Sequence, residues 1–235
     1  MGVRLPLPAP KKSAPTGVLF VFRRNSYTPI MKTIYLIRHG HVDNPEHVFY
    51  DEHFPLSETG AKEATKLGKA LKTASCEPSR IISSPYLRTR ETAHIISSEI
   101  EGPEVEYDDR LKEWQVGNWF LKPLAEFRKH TSYDKTPFHP NTDGIEDIDS
   151  MAKRVRSAIQ DTALSMQDDT CAALVSHREP LVSAILSLQG KNWEEVPILD
   201  FPKGSSWKLD FDEENNFLSA KKAFDCASDA SKKGV

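Results

Sequence analysis

Cysteine, long apolar runs and an excess of basic charge are all scarce in this sequence of 235 residues. The longest apolar run near the start, residues 18–22, is far too short to span a bilayer, so we expect no membrane partner. The formal net charge is −3, from 31 basic and 34 acidic residues. A large basic field is therefore absent, and we expect no nucleic-acid partner. The composition, 38% hydrophobic and 28% charged, is typical of a globular domain.

The three cysteines, Cys76, Cys171 and Cys226, are too few and too scattered for a disulfide framework or a CxxC metal site. We expect each to be an ordinary thiol, as in a reducing compartment. His41, His47 and His53 recur every six residues, but no cysteine or carboxylate completes a familiar ligand pattern around them. The sequence therefore predicts neither a metal nor a cofactor.

The first thirty residues differ in composition from the remainder. Residues 1–30 carry five basic side chains, no acidic ones and five of the sixteen prolines. We predict that they lie outside the fold, either as a targeting peptide or as an upstream extension with Met31 as the real start. The expected location is cytoplasmic, or mitochondrial or plastid if residues 1–30 are a transit peptide. Residues 227–235, small and charged, are predicted to form a frayed tail.

From Met31 onward, strand and helix patterns alternate. Strands are predicted at 32–38, 80–83, 104–107, 171–176, 205–211 and 216–224. Helices are predicted from Ser57 to about Lys72, after Pro85, over 147–166 and at about 179–188. This alternation predicts an α/β fold over residues 31–226, a three-layer α/β/α sandwich with a mostly parallel central sheet. Two irregular aromatic segments, about 44–55 and 114–146, are predicted to cap the site and determine specificity.

Reactive side chains follow three of the predicted strands. Ligands of such folds bind beyond the carboxyl ends of the strands. Arg38 and His39 follow the first strand, Arg88 the second, and His177 the apolar strand at 171–176. Guanidinium groups bind phosphate through a planar fork, and helix N-termini favour anions. Together these residues predict a cationic pocket for a phosphoryl group.

Six segments, in this order, resemble the histidine phosphatase superfamily, also called phosphoglycerate mutase-like. They are Arg38-His39-Gly40, Asn44, Leu56-Ser57-Glu58-Thr59-Gly60, the run from Ser84-Pro85 through Arg88 to Thr92-Ala93, Leu111-Lys112-Glu113 with Gly117 and Trp119, and Val175-Ser176-His177. A single tripeptide would be weak support, but six ordered matches over roughly 190 residues are specific. The resemblance implies the phosphoglycerate mutase-like fold.

The resemblance also implies a mechanism. His39 would be the nucleophile that forms a phosphohistidine, and Glu113 the general acid and base. Arg38, Asn44, Arg88 and His177 would bind the phosphoryl oxygens, with His177 counted among the catalytic groups. The implied activity is metal-independent hydrolysis of a phosphomonoester, in a small molecule or a phosphoprotein. The oligomeric state stays open.

Departures from the family pattern leave alternatives open. Glu179 follows His177 by two residues and is a rival acid to Glu113, because some branches place an acid beside that histidine. Arg178 could add charge to the pocket or point to solvent. Two other readings are a phosphoglycerate-mutase-type phosphotransferase and a non-catalytic phospholigand-binding protein on the same fold. The short span between Glu113 and His177 favours the phosphatase over the mutase.

Overall fold

The computed structural model describes residues 31–131, 144–191, 196 and 198–227. The predicted extension at 1–30, residues 132–143 of the second cap segment and residues 228–235 of the predicted tail lie outside the described residues.

The described chain alternates strands and helices, as the sequence predicts. The strands are β1 (Lys32–Arg38), β2 (Arg80–Ser83), β3 (Val105–Tyr107), β4 (Cys171–Ser176), β5 (Ser205–Phe211) and β6 (Phe217–Asp225). The helices are α1 (Glu58–Lys72), α2 (Leu87–Ile100), α3 (Leu124–Thr131), α4 (Ile148–Ser165) and α5 (Arg178–Leu188). Short 3₁₀ turns cover Asp109–Leu111 and Gly117–Trp119.

The strands form one six-stranded sheet in the order β3-β2-β4-β1-β5-β6. The first four are mutually parallel, whereas β5 runs antiparallel to β1 and β6 antiparallel to β5. The predicted mostly parallel sheet is thus confirmed. Because Ile37 near the end of β1 pairs with Ser206 near the start of β5, the entry to β5 shares an edge with the ends of β1, β2 and β4.

Helices cover both faces of the sheet, and β1 shows how they do so. Its side chains alternate with a period of two. Ile34 and Leu36 pack in a core cluster with α4 and α5, while Tyr35 and Ile37 pack in a second cluster with α1 and α2. The predicted α/β/α sandwich is confirmed.

The N-terminus of α1 is fastened to the residues after β1. The Ser57 side chain caps the helix by accepting a hydrogen bond from the Gly60 backbone N–H at 3.1 Å. A Cβ atom on Gly40 would lie 2.5 Å from the Gly60 carbonyl oxygen, so only glycine permits this approach. The close contact holds the backbone that carries His39.

The two predicted cap segments pack on each other. Val48 bridges to Pro123, and Phe49 bridges to Phe120. Trp114 and Phe127, each 1% exposed, are the centre of a third apolar cluster. The second segment is less irregular than predicted, because its described part contains α3. Its aromatic side chains stabilise a small core of their own.

The expectation of ordinary thiols is wrong for two of the cysteines. Cys76 and Cys171 form a disulfide, with Cα atoms 6.0 Å apart, while Cys226 is a free, partly buried thiol. The physical reason is tertiary: the Ser79 backbone N–H donates to the Cys171 carbonyl oxygen at 2.9 Å, which holds the segment before β2 against the start of β4. Within the described residues, no helix is long and apolar enough to cross a membrane.

Candidate active site

The two predicted histidines meet at the edge of the sheet. His39 directly follows β1, and His177 directly follows β4 as the N-cap residue of α5. Their rings lie 5.4 Å apart between centroids, and the two residues are 1% and 0% exposed. The parallel pairing of β1 with β4 brings together residues that are far apart in the sequence.

The ring of His39 is oriented by the neighbouring backbone. Its Nδ1 atom lies 2.8 Å from the Gly40 carbonyl oxygen. A carbonyl only accepts, so the hydrogen bond assigns the proton to Nδ1 and leaves the lone pair on Nε2. Burial, followed by the charges of Arg88 and Arg38, holds the pKa of His39 well below its usual value. The imidazole is therefore neutral at physiological pH.

Two guanidinium groups flank His39. Arg88, fully buried, donates from Nη1 to the Asp51 carbonyl oxygen at 2.7 Å, and Arg38 donates from Nη1 to the Phe201 carbonyl oxygen at 2.6 Å. The buried Nε atoms of both arginines have no hydrogen-bond partner within the described chain. Unpaired buried N–H groups on two cations favour an anionic ligand.

His177 faces both a hydroxyl and a carboxyl group. Its Nε2 atom lies 2.9 Å from Ser84 Oγ. Its Nδ1 atom lies 3.3 Å from Glu113 Oε2, within ion-pair distance but without hydrogen-bond geometry. Burial and the charge of Arg88 lower the pKa of His177 well below its usual value, so the imidazole is neutral at physiological pH.

Glu113 is a buried carboxyl group in this pocket, 8% exposed. Oε1 accepts from the Trp114 backbone N–H at 2.9 Å, and Oε2 lies 3.5 Å from Arg88 Nη2. Burial, with repulsion from Glu179, raises the pKa of Glu113 to about 7, although Arg88 opposes the shift. A large fraction of this carboxyl group therefore carries a proton near neutral pH.

Glu179 has the opposite electrostatic environment. Arg178 Nη1 lies 3.1 Å from its Oε1 atom. Burial acts to raise the pKa of Glu179, but Arg178 and Arg38 outweigh it and the net shift is downward. Arg178 also donates to the carbonyl oxygens of Val196 and Leu199. Arg178 therefore holds a neighbouring loop and keeps Glu179 ionised.

Asn44 lies in the first cap segment, where its amide bonds to the backbone. Its Nδ2 atom donates to the Val48 carbonyl oxygen at 2.9 Å, and its Oδ1 atom accepts from the Val48 N–H at 3.1 Å. The side chain thus closes a turn just ahead of Tyr50, which contacts Arg88 through its ring face at 5.2 Å. Asn44 is near the pocket but makes no described contact with His39, Arg38 or Arg88.

Arg154 on α4 supports Glu113 and was missed by sequence reasoning. It donates to the carbonyl oxygens of Arg110, Lys112 and Glu113 at 2.6, 2.8 and 3.0 Å. Its Nε and Nη2 atoms also pair with the two carboxylate oxygens of Glu146 at 2.6 and 2.8 Å. These bonds fasten the segment that carries Glu113. The sequence offers no signal for these bonds, because every residue has a backbone carbonyl group and residue type does not show which one accepts.

Lys203, just before β5, was also missed. It is 3% exposed, and its charge depresses the pKa of His39. The lysine follows no predicted parallel strand, and only the antiparallel pairing of β5 brings it to this edge.

Three of these residues also form a potential metal-binding set. Ligand atoms of His39, Glu113 and His177 lie within 4.8 Å of one another. The surrounding charge comes from Arg38, Arg88 and Lys203, so the pocket attracts an anion more strongly than a metal cation. His41, one of the three spaced histidines, instead bonds through Nδ1 with Ser57 Oγ at 2.8 Å.

The chain is similar in sequence to proteins from several organisms. The chain is 31% identical over 199 residues to an uncharacterised chloroplastic protein of Arabidopsis thaliana, covering 84% of each chain. It is 26% identical over 151 residues to 5''-phosphoribostamycin phosphatase of Niallia circulans, covering 63% of this chain and 70% of that one. It is 30% identical over 177 residues to the protein named probable phosphoglycerate mutase GpmB of Citrobacter koseri, covering 70% and 79%.

Among solved structures, mycobacterial glucosyl-3-phosphoglycerate phosphatase superposes with a TM-score of 0.69 at 21% identity. The match covers 84% of this chain and 100% of the other, and at this identity it shows the shared fold. The family model described as histidine phosphatase superfamily (branch 1) matches residues 34–222. The chain therefore belongs to the histidine phosphatase superfamily and is an enzyme of that family.

Proposed function

We propose that the chain is a metal-independent phosphatase that hydrolyses a phosphomonoester through a phosphohistidine on His39. The observation that carries this proposal is the state of His39: a neutral imidazole with a free Nε2 lone pair, set between Arg38 and Arg88. Phosphoryl transfer needs positioning and charge stabilisation more than any other chemistry. The pocket supplies both.

In the first step, Nε2 of His39 attacks phosphorus and the bond to the leaving oxygen breaks. Glu113, protonated near neutral pH, gives its proton to that oxygen, so the product leaves as an alcohol. Arg38, Arg88 and His177 bind the equatorial oxygens, and the unpaired Nε atoms of the two arginines are available for this role. Asn44 completes the phosphate-binding set in this proposal, although its amide is bonded to the Val48 backbone in the structure.

In the second step, water attacks phosphorus and the phosphorus–nitrogen bond breaks. The Glu113 carboxylate accepts a proton from the water, and inorganic phosphate is released. His39 and Glu113 then return to their starting protonation states. Glu179 is not the proton donor here, because Arg178 and Arg38 keep it ionised.

The test is hydrolysis of p-nitrophenyl phosphate in excess EDTA, with His39→Ala beside the natural chain. We expect activity to survive chelation and to fall by at least about a thousandfold in the variant. His94→Ala is the matched control, since His94 is an exposed histidine bonded to Tyr107. Trapping with ³²P-labelled substrate should give an acid-labile, alkali-stable adduct on His39. Loss of activity in EDTA, or an active His39→Ala variant, would contradict the proposal.

A phosphoglycerate-mutase-type reaction is the second candidate, favoured by the similarity to GpmB. A mutase keeps the phosphohistidine until it rephosphorylates a bound product, whereas a phosphatase passes it to water. Incubation with 3-phosphoglycerate separates them: inorganic phosphate indicates hydrolysis, and 2-phosphoglycerate without phosphate release indicates the mutase. A phospholigand-binding protein would give neither product.

The compartment is a separate proposal. Residues 1–30 are basic and free of acidic residues, and a similar Arabidopsis protein is named chloroplastic. We propose that residues 1–30 direct import into a plastid or mitochondrion and that a chain starting at Met31 stays in the cytoplasm. Fluorescent fusions of residues 1–235 and 31–235 test this. Identical distribution of the two fusions would overturn it.

A further inference from the structure

Lys203 is a buried cation beside the nucleophile. It lies in the loop that enters β5 and is 3% exposed. The backbone N–H of the next residue, Gly204, donates to the His39 carbonyl oxygen at 3.0 Å. The lysine is therefore fastened to the same backbone that positions the nucleophile.

The ammonium group of Lys203 lacks a close counter-ion. Its Nζ atom donates to the Tyr50 hydroxyl at 3.2 Å, which uses one of its three N–H groups. Across residues 31–131, 144–191, 196 and 198–227, no carboxylate oxygen lies within 4.0 Å of Nζ. A buried charge without a partner is costly, and proteins keep such groups where a ligand completes them.

Tyr50 connects Lys203 to the phosphoryl pocket. Its ring centroid lies 5.6 Å from Lys203 Nζ and 5.2 Å from Arg88 Cζ. The two cations therefore contact the same aromatic ring. Burial, reinforced by Arg38, lowers the pKa of Lys203 to about 8, although the more distant charges of Glu63 and Glu179 oppose the shift, and the ammonium group stays mostly charged at neutral pH. An anion beside it would restore the ordinary charge balance.

We propose that Lys203 is a specificity-determining residue that binds a second anionic group of the substrate, a few bonds from the transferred phosphoryl group. This inference rests on the proposed phosphatase function and adds the substrate class: phosphomonoesters with a nearby carboxylate or second phosphate. The Tyr50 hydroxyl assists by orienting the ammonium group. Arg38 and Arg88 serve the transferred phosphoryl group, so the second anion depends mainly on Lys203.

Matched substrate pairs test the proposal in the natural chain. Phosphoglycolate is compared with 2-hydroxyethyl phosphate. Propane-1,3-diol bisphosphate is compared with propane-1,3-diol monophosphate, and the kcat/KM of the bisphosphate is halved because it carries two equivalent phosphates. In at least one pair, we expect kcat/KM to be at least about tenfold higher for the substrate that carries the second anionic group. The pair that shows the preference identifies the second anion as a carboxylate or a phosphate. Equal kcat/KM within both pairs overturns the proposal.

Lys203→Met then assigns the preference to this residue. The variant should lose at least about tenfold more kcat/KM on the preferred substrate than on its neutral partner, mainly through KM. Lys222→Met, at an exposed lysine on β6, is the control and should keep the natural preference. Equal losses of kcat/KM on both members of the pair would indicate that Lys203 has only a structural role and would overturn the proposal. Lys203→Gln gives the same comparison if the methionine variant does not fold.

Binding measurements keep this test separate from the catalytic one. Calorimetry on His39→Ala with phosphoglycolate and 2-hydroxyethyl phosphate, and likewise with the bisphosphate pair, reports the second-anion preference without turnover. If no substrate is hydrolysed but binding to this variant still prefers the second anion, the proposed reaction fails and the role of Lys203 stands. If hydrolysis occurs but neither binding nor kcat/KM prefers the second anion, the proposed reaction stands and the role of Lys203 fails.

Discussion

The Oε2 atom of Glu113 lies 3.3 Å from Nδ1 of His177, so a carboxyl group and an imidazole share one buried corner of the pocket. Their pKa values move in opposite directions: burial raises that of Glu113 and lowers that of His177. Both groups are thereby kept closer to neutral. The positive charge of the pocket comes from arginine and lysine, and the raised pKa of Glu113 keeps a proton available on its carboxyl group near neutral pH.

Glu113→Gln tests the general acid. On alkyl phosphates, whose leaving oxygen needs a proton, we expect kcat to fall by about 10²–10⁴-fold. On p-nitrophenyl phosphate the loss of kcat/KM, which reports only on formation of the phosphohistidine, should be much smaller, because p-nitrophenolate leaves without a proton. Glu179→Gln is the matched comparison and should lose less than about tenfold on either substrate, since its charge only tunes the pocket. A larger leaving-group effect in Glu179→Gln would reverse the assignment.

The pH profile of kcat/KM on an alkyl phosphate should be a bell. On the acidic side activity falls when His39 becomes protonated. Because the pKa of His39 is lowered, this fall occurs at a lower pH than it would for an ordinary histidine. On the alkaline side activity falls as Glu113 loses its proton, around its raised pKa of about 7. We expect an optimum between about pH 5 and 7.5. Glu113→Gln should remove the alkaline limb, and a rate still rising above about pH 9 would exclude Glu113 as the acid.

Arg154→Lys tests whether Arg154 positions Glu113. A lysine cannot reproduce the fork that holds three carbonyl oxygens and Glu146. We expect kcat on alkyl phosphates to fall about 10–100-fold with little change in KM, and a smaller loss on p-nitrophenyl phosphate. Arg156→Lys on the same helix is the control, because Arg156 bonds only to Ser187 Oγ in the described chain. Equal losses on both substrates would indicate a general structural defect.

Cys76→Ser tests the disulfide. A bond between residues 95 positions apart restricts the unfolded chain, so its removal should lower the free energy of unfolding by about 2–4 kcal/mol. Urea unfolding with and without a reductant measures the effect, and the reductant should destabilise the natural chain and Cys226→Ser but not Cys76→Ser. Cys226→Ser is the matched control, because Cys226 is the free thiol. Identical midpoints for Cys76→Ser and the oxidised natural chain would show that the bond adds no stability.

The elements were predictable because their signals are local. The run at Lys32–Arg38 is apolar and β-branched, and Ser57 is a side-chain cap, so both were located within a residue or two. Most of the family motifs are also short contiguous runs, and three of them lie at the ends of β1, β2 and β4. His39, Arg88 and His177 could thus be placed at one edge of the sheet without coordinates.

The cysteines and Lys203 were not predictable, because their environments arise from distant segments. Cys76 and Cys171 meet only when β4 takes its place beside β2. Lys203 reaches His39 only because β5 runs antiparallel to β1. A strand pattern carries no sign of its direction in the sheet, so neither contact was visible in the residues alone.

The sequence by itself determined the alternation of strands and helices, the family and the identity of the reactive side chains, because propensity, periodicity and motif spacing are properties of neighbouring residues. Only the tertiary structure separates the environments of Glu113 and Glu179, both plausible acids in the sequence. Burial, with repulsion from Glu179, raises the pKa of Glu113 although Arg88 lies nearby, whereas Arg178 and Arg38 lower the pKa of Glu179. The pKa of a carboxyl group depends on the dielectric and the charges around it, and these exist only once the chain has folded.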